Sequence, residues 1–257
     1  MQKSTANQSQ YLLQSVDNAL RLLNLFSGED RLSLTEIAAR MGCGKTIAYR
    51  LAYTLESRGF LCRGEDGKYS LGMRLFTLGQ KVLSEKSYLP LVVPLLDQLT
   101  QTVNESTHLV TWESLHHVIL LYESLPNQSL RVEMSKAISS RPPHLTSTGL
   151  ALLATKTDDE IREYANTVIF EKKTTYSISS KEQLDEDIRF TREHGYAINN
   201  QRFEEGAISI AVPIFKRGGT SADFSISVSG PSTRMTARQD TILKELFSTA
   251  QKISALL

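Results

Sequence analysis

The chain has 257 residues, 40% of them apolar and 22% charged, which is typical of a globular protein with a hydrophobic core and excludes a disordered chain. Its net charge of +1 hides an asymmetry, because residues 1–88 carry 12 Lys/Arg against 8 Asp/Glu and residues 89–257 carry 17 against 20. Two cysteines, Cys43 and Cys62, make no disulfide framework, and we see no signal peptide or membrane-spanning run. We therefore expect a cytoplasmic protein whose basic N-terminal third binds nucleic acid.

The N-terminal part reads as helices separated by short turns. The first ten residues or so are polar, and we expect a mobile tail over residues 1–14. Apolar residues at helical spacing predict a helix over residues 16–26, with Gly28 placed to cap its C-terminus. Ser33 and Glu36 form a capping box that opens a second helix, and two glycines supply the turn behind it, Gly42 and Gly44.

A third helix is predicted from about Thr46 to just before Gly59. One of its faces is apolar (Ala48, Leu51, Ala52, Leu55), and the opposite face is polar or aromatic (Thr46, Tyr49, Arg50, Tyr53). Asp66-Gly67 lies between two short strand-like runs and favours a hairpin turn. Three helices followed by a two-stranded wing describe a winged helix-turn-helix, which we assign to residues 15–72.

The remaining chain predicts a linker helix and a larger domain. Leu75, Leu78 and Val82 recur at helical spacing within residues 73–89. Beyond them, strand-like runs occur at residues 107–114, 117–124, 130–135, 207–215 and 223–230. Helices are predicted at about 147–156, at 158–169 after the capping box Thr157-x-x-Glu160, from Ser179-x-x-Glu182 to His194-Gly195, and after Thr236-x-x-Gln239. This order indicates an α+β fold, with an antiparallel sheet and flanking helices over residues 90–257.

The polar residues of this domain do not form a catalytic motif. The five histidines (His108, His116, His117, His144, His194) lie in separate segments without zinc-site spacing, so we expect structural or surface roles, no metal and no cofactor. Ser225, Ser227 and Ser229 alternate along one strand and share a face, and no G-x-S-x-G elbow accompanies them. From the residues alone, this row is either a solvent-facing surface or the wall of a ligand site.

Four segments in order resemble the IclR family of bacterial transcription regulators: "SVDNALRLLNLF"; "LSLTEIAARMGCGKTIAYRLAYTLESRGFLCRGEDGKYSLG"; "HLTSTGLALLA"; and "REHGYAINNQRFEEGAISIAVPIF" with "SISVSGPSTRMT". The resemblance runs from about Ser15 to the C-terminus. It implies a DNA-binding winged helix, a linker helix, a GAF-like effector-binding domain, and a homodimer or homotetramer. The chain departs from the family pattern at Thr46-Ile47, where Ser-Thr is usual, and at Ser209 and Asn199, where Cys and an acid are frequent.

The resemblance, with the helix and strand periodicity, defines two sets of candidate residues. For DNA they are Lys45, Thr46, Tyr49, Arg50 and Tyr53 on the third helix, with Arg63 and Lys68 on the wing. For the effector they are Met134, Thr146, Ser147, Gly149, Asn199, Ala207, Ser209, Ser227 and Ser229. Free N–H groups at the helix start near Thr146 favour an anion. With Asn199 in place of an acid, we expect a pocket without a fixed negative charge that binds a small organic acid.

The sequence therefore favours a transcription regulator whose operator binding responds to a small metabolite, and not an enzyme. Two alternatives remain. One is a DNA-binding dimer with a vestigial sensor domain, and the other is an enzyme within residues 90–257.

Overall fold

The computed structural model describes residues 11–84, 88–134 and 140–257, without the side chains of residues 83 and 84. The chain divides into two compact units, Met1–Ser87 and Tyr88–Leu257. Residues 1–10 of the expected tail lie outside the described residues. Across the described ranges, every helix is too short or too polar to span a lipid bilayer.

The described residues of the first unit form four α-helices and a hairpin. They are α1 (Gln14–Asn24), α2 (Leu34–Met41), α3 (Lys45–Ser57), the antiparallel strands β1 (Leu61–Arg63) and β2 (Tyr69–Leu71), and α4 (Met73–Ser84). The capping box of α2 is confirmed, since the Glu36 carboxylate accepts from the Ser33 N–H at 2.8 Å and the Ser33 hydroxyl accepts from the Glu36 N–H. Gly42 ends α2 in the left-handed region, at φ 63°.

The hydrophobic core of this unit collects one face from each helix and the start of the wing. Leu22, Ile37, Ala48, Ala52 and Leu61 are among its fully or nearly fully buried members. The apolar stripe of α3 thus points inward, and its opposite face is left to solvent. Gly28 does not cap α1 as expected, because α1 ends at Asn24, a 3-10 turn follows, and Gly28 has a φ of −126°.

The second unit is an antiparallel sheet with helices on both faces, which confirms the α+β prediction. Its helices are α5 (Leu89–Val103), α6 (Ser147–Leu153), α7 (Asp158–Thr167), α8 (Lys181–His194), α9 (Ser232–Ala237) and α10 (Gln239–Ser254). Its strands are β3 (Ser106–Ser114), β4 (His117–Ser124), β5 (Ser140–Arg141), β6 (Ala197–Asn200), β7 (Ala207–Phe215) and β8 (Ala222–Pro231). The sheet order is β5-β4-β3-β8-β7-β6.

Strand alternation divides the core between the two faces of this sheet. Ile210, Val212 and Ile226 pack on one face in a cluster with residues of α5 and α10. Ala197 and Ala211 point to the other face, into a cluster with residues of α6, α7 and α8. The small residues and hydroxyls of β7 and β8 belong to this second face, because successive residues of a strand alternate sides.

One strand prediction was wrong, and one strand was missed. Residues 130–134 form an irregular segment, whose backbone bonds to the side chains of Ser106 and Glu123; residue 135 lies outside the described residues. The position beside β4 is taken by β5 instead. The short strand β6 was not predicted, and it pairs with β7 at the other edge of the sheet.

Several helix ends also differ from the prediction. The cap of α8 is Ser180, whose hydroxyl accepts from the Gln183 N–H, one residue later than expected. Thr236 does not open the last helix, because it lies inside α9 and α10 begins at Gln239 without a side-chain cap. The helix at 147–156 ends at Leu153 and the helix at 158–169 ends at Thr167. Of the expected linker helix, α4 accounts for residues 73–84, and Leu89 begins α5.

Candidate DNA-binding surface and ligand pocket

The outward face of α3 carries the residues that the sequence pattern selects for DNA. Lys45, Thr46, Tyr49, Arg50 and Tyr53 are all exposed, and the Tyr49 and Tyr53 rings stack with centroids 6.1 Å apart. The N-cap is Gly44, so no side chain occupies the N–H groups of the first turn. Neither Lys45 nor Arg50 forms an ion pair with any residue that the structure describes. This face combines free positive charge with aromatic and hydroxyl donors.

Arg50 and Ile47 lie at the side of this face that borders α1. Both line an open groove between α1 and α3, together with Val16 and Leu20. Ile47 is 51% exposed and therefore contributes an apolar surface where the family usually has a hydroxyl residue.

The wing presents two exposed cations in different states. The Arg63 side chain donates to the Gly67 carbonyl at 3.3 Å and lies 5.6 Å from the centre of the Tyr69 ring, so it is held against the wing. The Lys68 side chain has no such contact with another described residue. Arg31 bonds Asp66 at 3.0 Å and ties the wing turn to the segment before α2.

Eight of the nine residues predicted for effector binding line one cavity of about 100 Å³ in the second unit; they are Met134, Thr146, Ser147, Asn199, Ala207, Ser209, Ser227 and Ser229. On the same measure of volume, a cavity needs about 10–15 Å³ to hold one water molecule. The cavity is therefore large enough for a molecule on the order of ten non-hydrogen atoms. The structure thus brings together five short stretches of chain that are up to about a hundred positions apart in the sequence.

The floor of this pocket is a hydrogen-bonded set of hydroxyl groups. The Ser229 hydroxyl donates to Ser209 Oγ at 2.8 Å, and the Ser209 and Ser147 hydroxyls are 2.5 Å apart. Ser227 Oγ lies 3.2 Å from Nδ1 of the fully buried His108. Ser225 shares the same strand face but donates to the Thr148 carbonyl, so it fixes α6 against the sheet and does not line the pocket.

Gly149 does not line the pocket, and its N–H is not free. Thr146 Oγ1 accepts from that N–H at 3.0 Å, as an N-cap does. A Cβ at position 149 would overlap the backbone of Pro143, which explains why glycine stands there. Asn199 lines the pocket, but its amide group donates to the Leu145 carbonyl and accepts from the Arg202 N–H.

The expectation of a pocket without negative charge was wrong, because Glu133 and Glu204 are part of the lining. The lining also includes Arg141, which the sequence argument did not select. Burial lowers the pKa of Arg141, an effect that the Glu204 and Glu123 carboxylates oppose. No carboxylate oxygen of the described residues lies within ion-pair distance of its guanidinium group. The pocket therefore holds a half-buried cation that has no direct anionic partner among the described residues.

The Arg141 side chain closes over the pocket by packing on Phe203. Its guanidinium carbon lies 4.1 Å from the centre of the Phe203 ring. Arg141 belongs to β5 and Phe203 follows β6, and these two strands are opposite edges of the sheet. Six strands laid flat would separate these edges by about 24 Å. The contact therefore crosses the concave face of a curled sheet, with the serine floor beneath it.

Sequence reasoning missed eight lining residues: Val132, Glu133, Arg141, Leu145, Thr148, Phe203, Glu204 and Ile208. Thr148 and Leu145 flank predicted positions and could have been included on that ground. Arg141 and Phe203 carried no such signal, because only the closure of the sheet brings them together. In the described ranges, no group of three or more His, Cys, Asp or Glu is arranged to hold a metal ion.

Comparison with known proteins identifies both units. The IclR helix-turn-helix domain matches residues 15–64, and the bacterial transcriptional regulator IclR C-terminal domain matches residues 80–255. The chain is 30% identical over 247 residues to the HTH-type transcriptional regulator KdgR of Escherichia coli, covering 94% of this chain and 92% of KdgR.

Two solved structures share the fold. An IclR transcriptional regulator from Alicyclobacillus acidocaldarius is 25% identical with a TM-score of 0.81, covering 96% of this chain and 99% of that one. An IclR homologue from Microbacterium hydrocarbonoxydans, solved as a complex with 4-hydroxybenzoate, is 23% identical with a TM-score of 0.81, covering 95% and 99%.

The relatives are transcriptional regulators, which confirms the expectation that this chain is not an enzyme. The chain belongs to the IclR family of bacterial transcriptional regulators and is a DNA-binding regulator with a C-terminal effector-binding domain.

Proposed function

We propose that the outward face of α3 reads the operator in the major groove. Residues in the first two turns of such a helix reach base edges, so Lys45, Thr46, Tyr49 and Arg50 are the contacts. The observation that carries this proposal is the exposure of all four, with both cations free of ion pairs among the described residues. Tyr53 lies one turn further along and braces the DNA backbone.

The two wing cations contact phosphates in this proposal. Lys68 has no hydrogen bond or ion pair with a described residue to lose on binding, only a coulombic interaction with Glu36, whereas Arg63 must leave or share the Gly67 carbonyl. Phosphate contacts fix position and carry no sequence information. Lys68→Ala should therefore weaken binding to all duplexes alike and reduce the slope of log affinity against log salt by about 1 per protomer.

The effector is a small organic acid held in the pocket of the second unit. Arg141 supports this class, because its half-buried guanidinium has no direct carboxylate partner in the described part of the chain and is suited to receive one from a ligand. The cavity of about 100 Å³ supports a compact molecule. The complex of the Microbacterium homologue with 4-hydroxybenzoate, an acid of ten non-hydrogen atoms, supports the same class.

The regulator acts as a homodimer in the cytoplasm, where the chromosome lies. Two dimers pair to a tetramer if the second units also associate. An apolar surface of the first unit supports the dimer. On α4, Met73, Phe76, Leu78 and Val82 are 73, 58, 41 and 56% exposed. Exposed apolar patches of this kind mark association surfaces in soluble proteins. A net charge of +4 in the first third also favours two copies on one operator.

The proposal is tested with the full-length protein and an operator selected from a random duplex pool. Arg50→Ala should lower affinity for that operator by about 1–3 kcal/mol more than for unrelated DNA. Arg58, exposed at the C-terminal end of α3, supplies the matched control, and Arg58→Ala should affect both duplexes alike. Equal operator binding by Arg50→Ala and the parent would remove Arg50 from the reading surface.

The effector class is tested by calorimetric titration with a panel of small carboxylates. An acid that binds should do so without being consumed, and Arg141→Gln should weaken it. If no carboxylate binds and DNA binding is normal, the alternative of a vestigial sensor domain replaces this proposal.

A further inference from the structure

A buried histidine connects two strands beneath the pocket floor. His108 on β3 stands in register between Glu123 on β4 and Ser227 on β8. Its Nε2 lies 3.1 Å from Glu123 Oε1, and its Nδ1 lies 3.2 Å from Ser227 Oγ. His108 is fully buried and the Glu123 side chain is 7% exposed, so water cannot substitute freely for these bonds.

The bonds to Glu123 fix which ring nitrogen carries the proton. Glu123 Oε1 also accepts the Met134 N–H at 2.5 Å. A carboxylate oxygen only accepts, so His108 must donate to it through Nε2–H. In the neutral ring, Nδ1 is then an acceptor. Two hydroxyl oxygens lie within reach of this acceptor, Ser227 Oγ at 3.2 Å and Ser229 Oγ at 3.4 Å. Because Ser229 donates its hydrogen to Ser209 Oγ, Ser227 is the hydroxyl that donates to His108.

The other floor hydroxyl is oriented in a similar way. Ser229 donates to Ser209 Oγ at 2.8 Å. Both Ser227 and Ser229 thus use their hydrogens within the floor, and both line the pocket. What they present to a bound molecule is oxygen lone pairs, which receive a hydroxyl and repel a carbonyl or ether oxygen.

Resting on the proposed role of this pocket as the effector site, we propose that the effector is a hydroxycarboxylate. Its carboxylate meets Arg141, and its hydroxyl donates to the oxygens of Ser227 and Ser229. His108 and Glu123 do not contact the ligand in this scheme; they are positioning residues that set the direction of the floor hydrogen bonds. Glu123 also holds a wall of the pocket, because Met134 belongs to the lining.

The experiment compares acids that differ only in the hydroxyl group. Full-length protein is titrated calorimetrically with 4-hydroxybenzoate, benzoate and 4-methoxybenzoate, and with the smaller pair lactate and pyruvate. Leaving a buried polar group unpaired costs enough that the hydroxy acid of at least one set should bind about ten-fold or more tightly than its analogues. Binding of hydroxylated and non-hydroxylated acids within about two-fold in both sets overturns the inference.

Two variants distinguish the orientation of the floor hydroxyl groups by His108 from a general disruption of the pocket. The double variant Ser227→Ala, Ser229→Ala should reduce the preference for the hydroxyl to about two-fold or less. His108→Phe removes the acceptor for Ser227, so the preference should fall while the acids still bind. If His108→Phe weakens all acids equally and keeps the preference, the positioning role is wrong. If it fails to fold, the serine double variant decides.

Arg141→Gln is the matched control for the other end of the ligand. It should weaken every acid by a similar factor and leave the hydroxyl preference unchanged. Failure of every probe to bind the parent contradicts the proposed effector class, and this inference with it. Acids that bind without regard to their hydroxyl contradict this inference alone and leave the effector class in place.

Discussion

His144 gives the second unit a defined dependence of stability on pH. The side chain is 1% exposed and its Nδ1 lies 2.5 Å from the Tyr164 hydroxyl. Its Nε2 is buried without a hydrogen-bond partner among the described residues. Burial lowers the pKa of His144 from 6.5 to about 4, and the Glu171 carboxylate offsets this only in part.

The sign and size of the effect follow from that pKa. Between pH 6.5 and about 4 the unfolded chain binds a proton at His144 that the folded protein does not. Stability is therefore complete above pH 6.5 and is lost as pH falls towards 4. Because one unit of pKa corresponds to about 1.4 kcal/mol, His144 removes about 3 kcal/mol from the free energy of unfolding across this window.

The assay uses the single tryptophan, Trp112, which lies on β3 and reports on the second unit. Urea unfolding followed by its fluorescence is measured at several pH values for the parent and for His144→Gln, which cannot titrate. At neutral pH the variant should be less stable, because it loses packing. The difference should shrink by about 3 kcal/mol as the pH falls to about 4.

Tyr164→Phe is the control, because it removes the phenol and leaves His144 free to titrate. It should keep the pH dependence of the parent. A difference between the parent and His144→Gln that stays constant within about 0.5 kcal/mol over the whole range would refute the burial argument.

Three further predictions concern the pocket and the dimer surface. Gly149→Ala should destabilise the second unit by about 1–3 kcal/mol or more in urea unfolding, because the added methyl overlaps the Pro143 backbone; no loss would contradict the tight packing of α6. Ser229→Leu should abolish the response to organic acids in a DNA-binding assay while operator binding persists, and a normal response would move the site elsewhere. Val82→Asp should shift the protein to monomer in light scattering, and an unchanged dimer would exclude α4 from the interface.

Two of the four capping motifs read from the sequence open helices in the structure. The capping boxes at Ser33 and Thr157 both form, because each joins residues three positions apart and needs no tertiary contact. Ser179 was misassigned because Ser180 is an equally good cap one residue later, and its partner Gln183 was overlooked. Adjacent serines cannot be separated by propensity alone.

The strand errors have a different cause. Residues 130–134 alternate like a strand, yet Ser106 and Glu123 bind their backbone from the side and β5 takes the neighbouring edge. Strand β6 has only four residues, directly after a helix, and its pairing with β7 is a long-range choice. Alternation indicates which residues share a face but not which segments pair.

Strand alternation was enough to predict the serine residues of the pocket. The face shared by Ser227, Ser229 and Ser209 could be read from two strands. The contact between Arg141 and Phe203 could not, because it joins opposite edges of a six-stranded sheet. The sequence-based prediction of the charges in the pocket was therefore wrong, and Arg141 was missed.

In this regulator, binding of a small acid to the pocket and binding of the operator are coupled, so that each changes the affinity for the other. The most direct measurement is the operator dissociation constant by fluorescence anisotropy, with and without a saturating acid that binds the parent. We expect the acid to change operator affinity by a factor that is commonly about 5–150-fold. Thermodynamic linkage then requires that the operator change the affinity of the acid by the same factor. The account predicts equal factors, both lost in Ser229→Leu. An acid that binds the pocket and leaves operator affinity unchanged would contradict it.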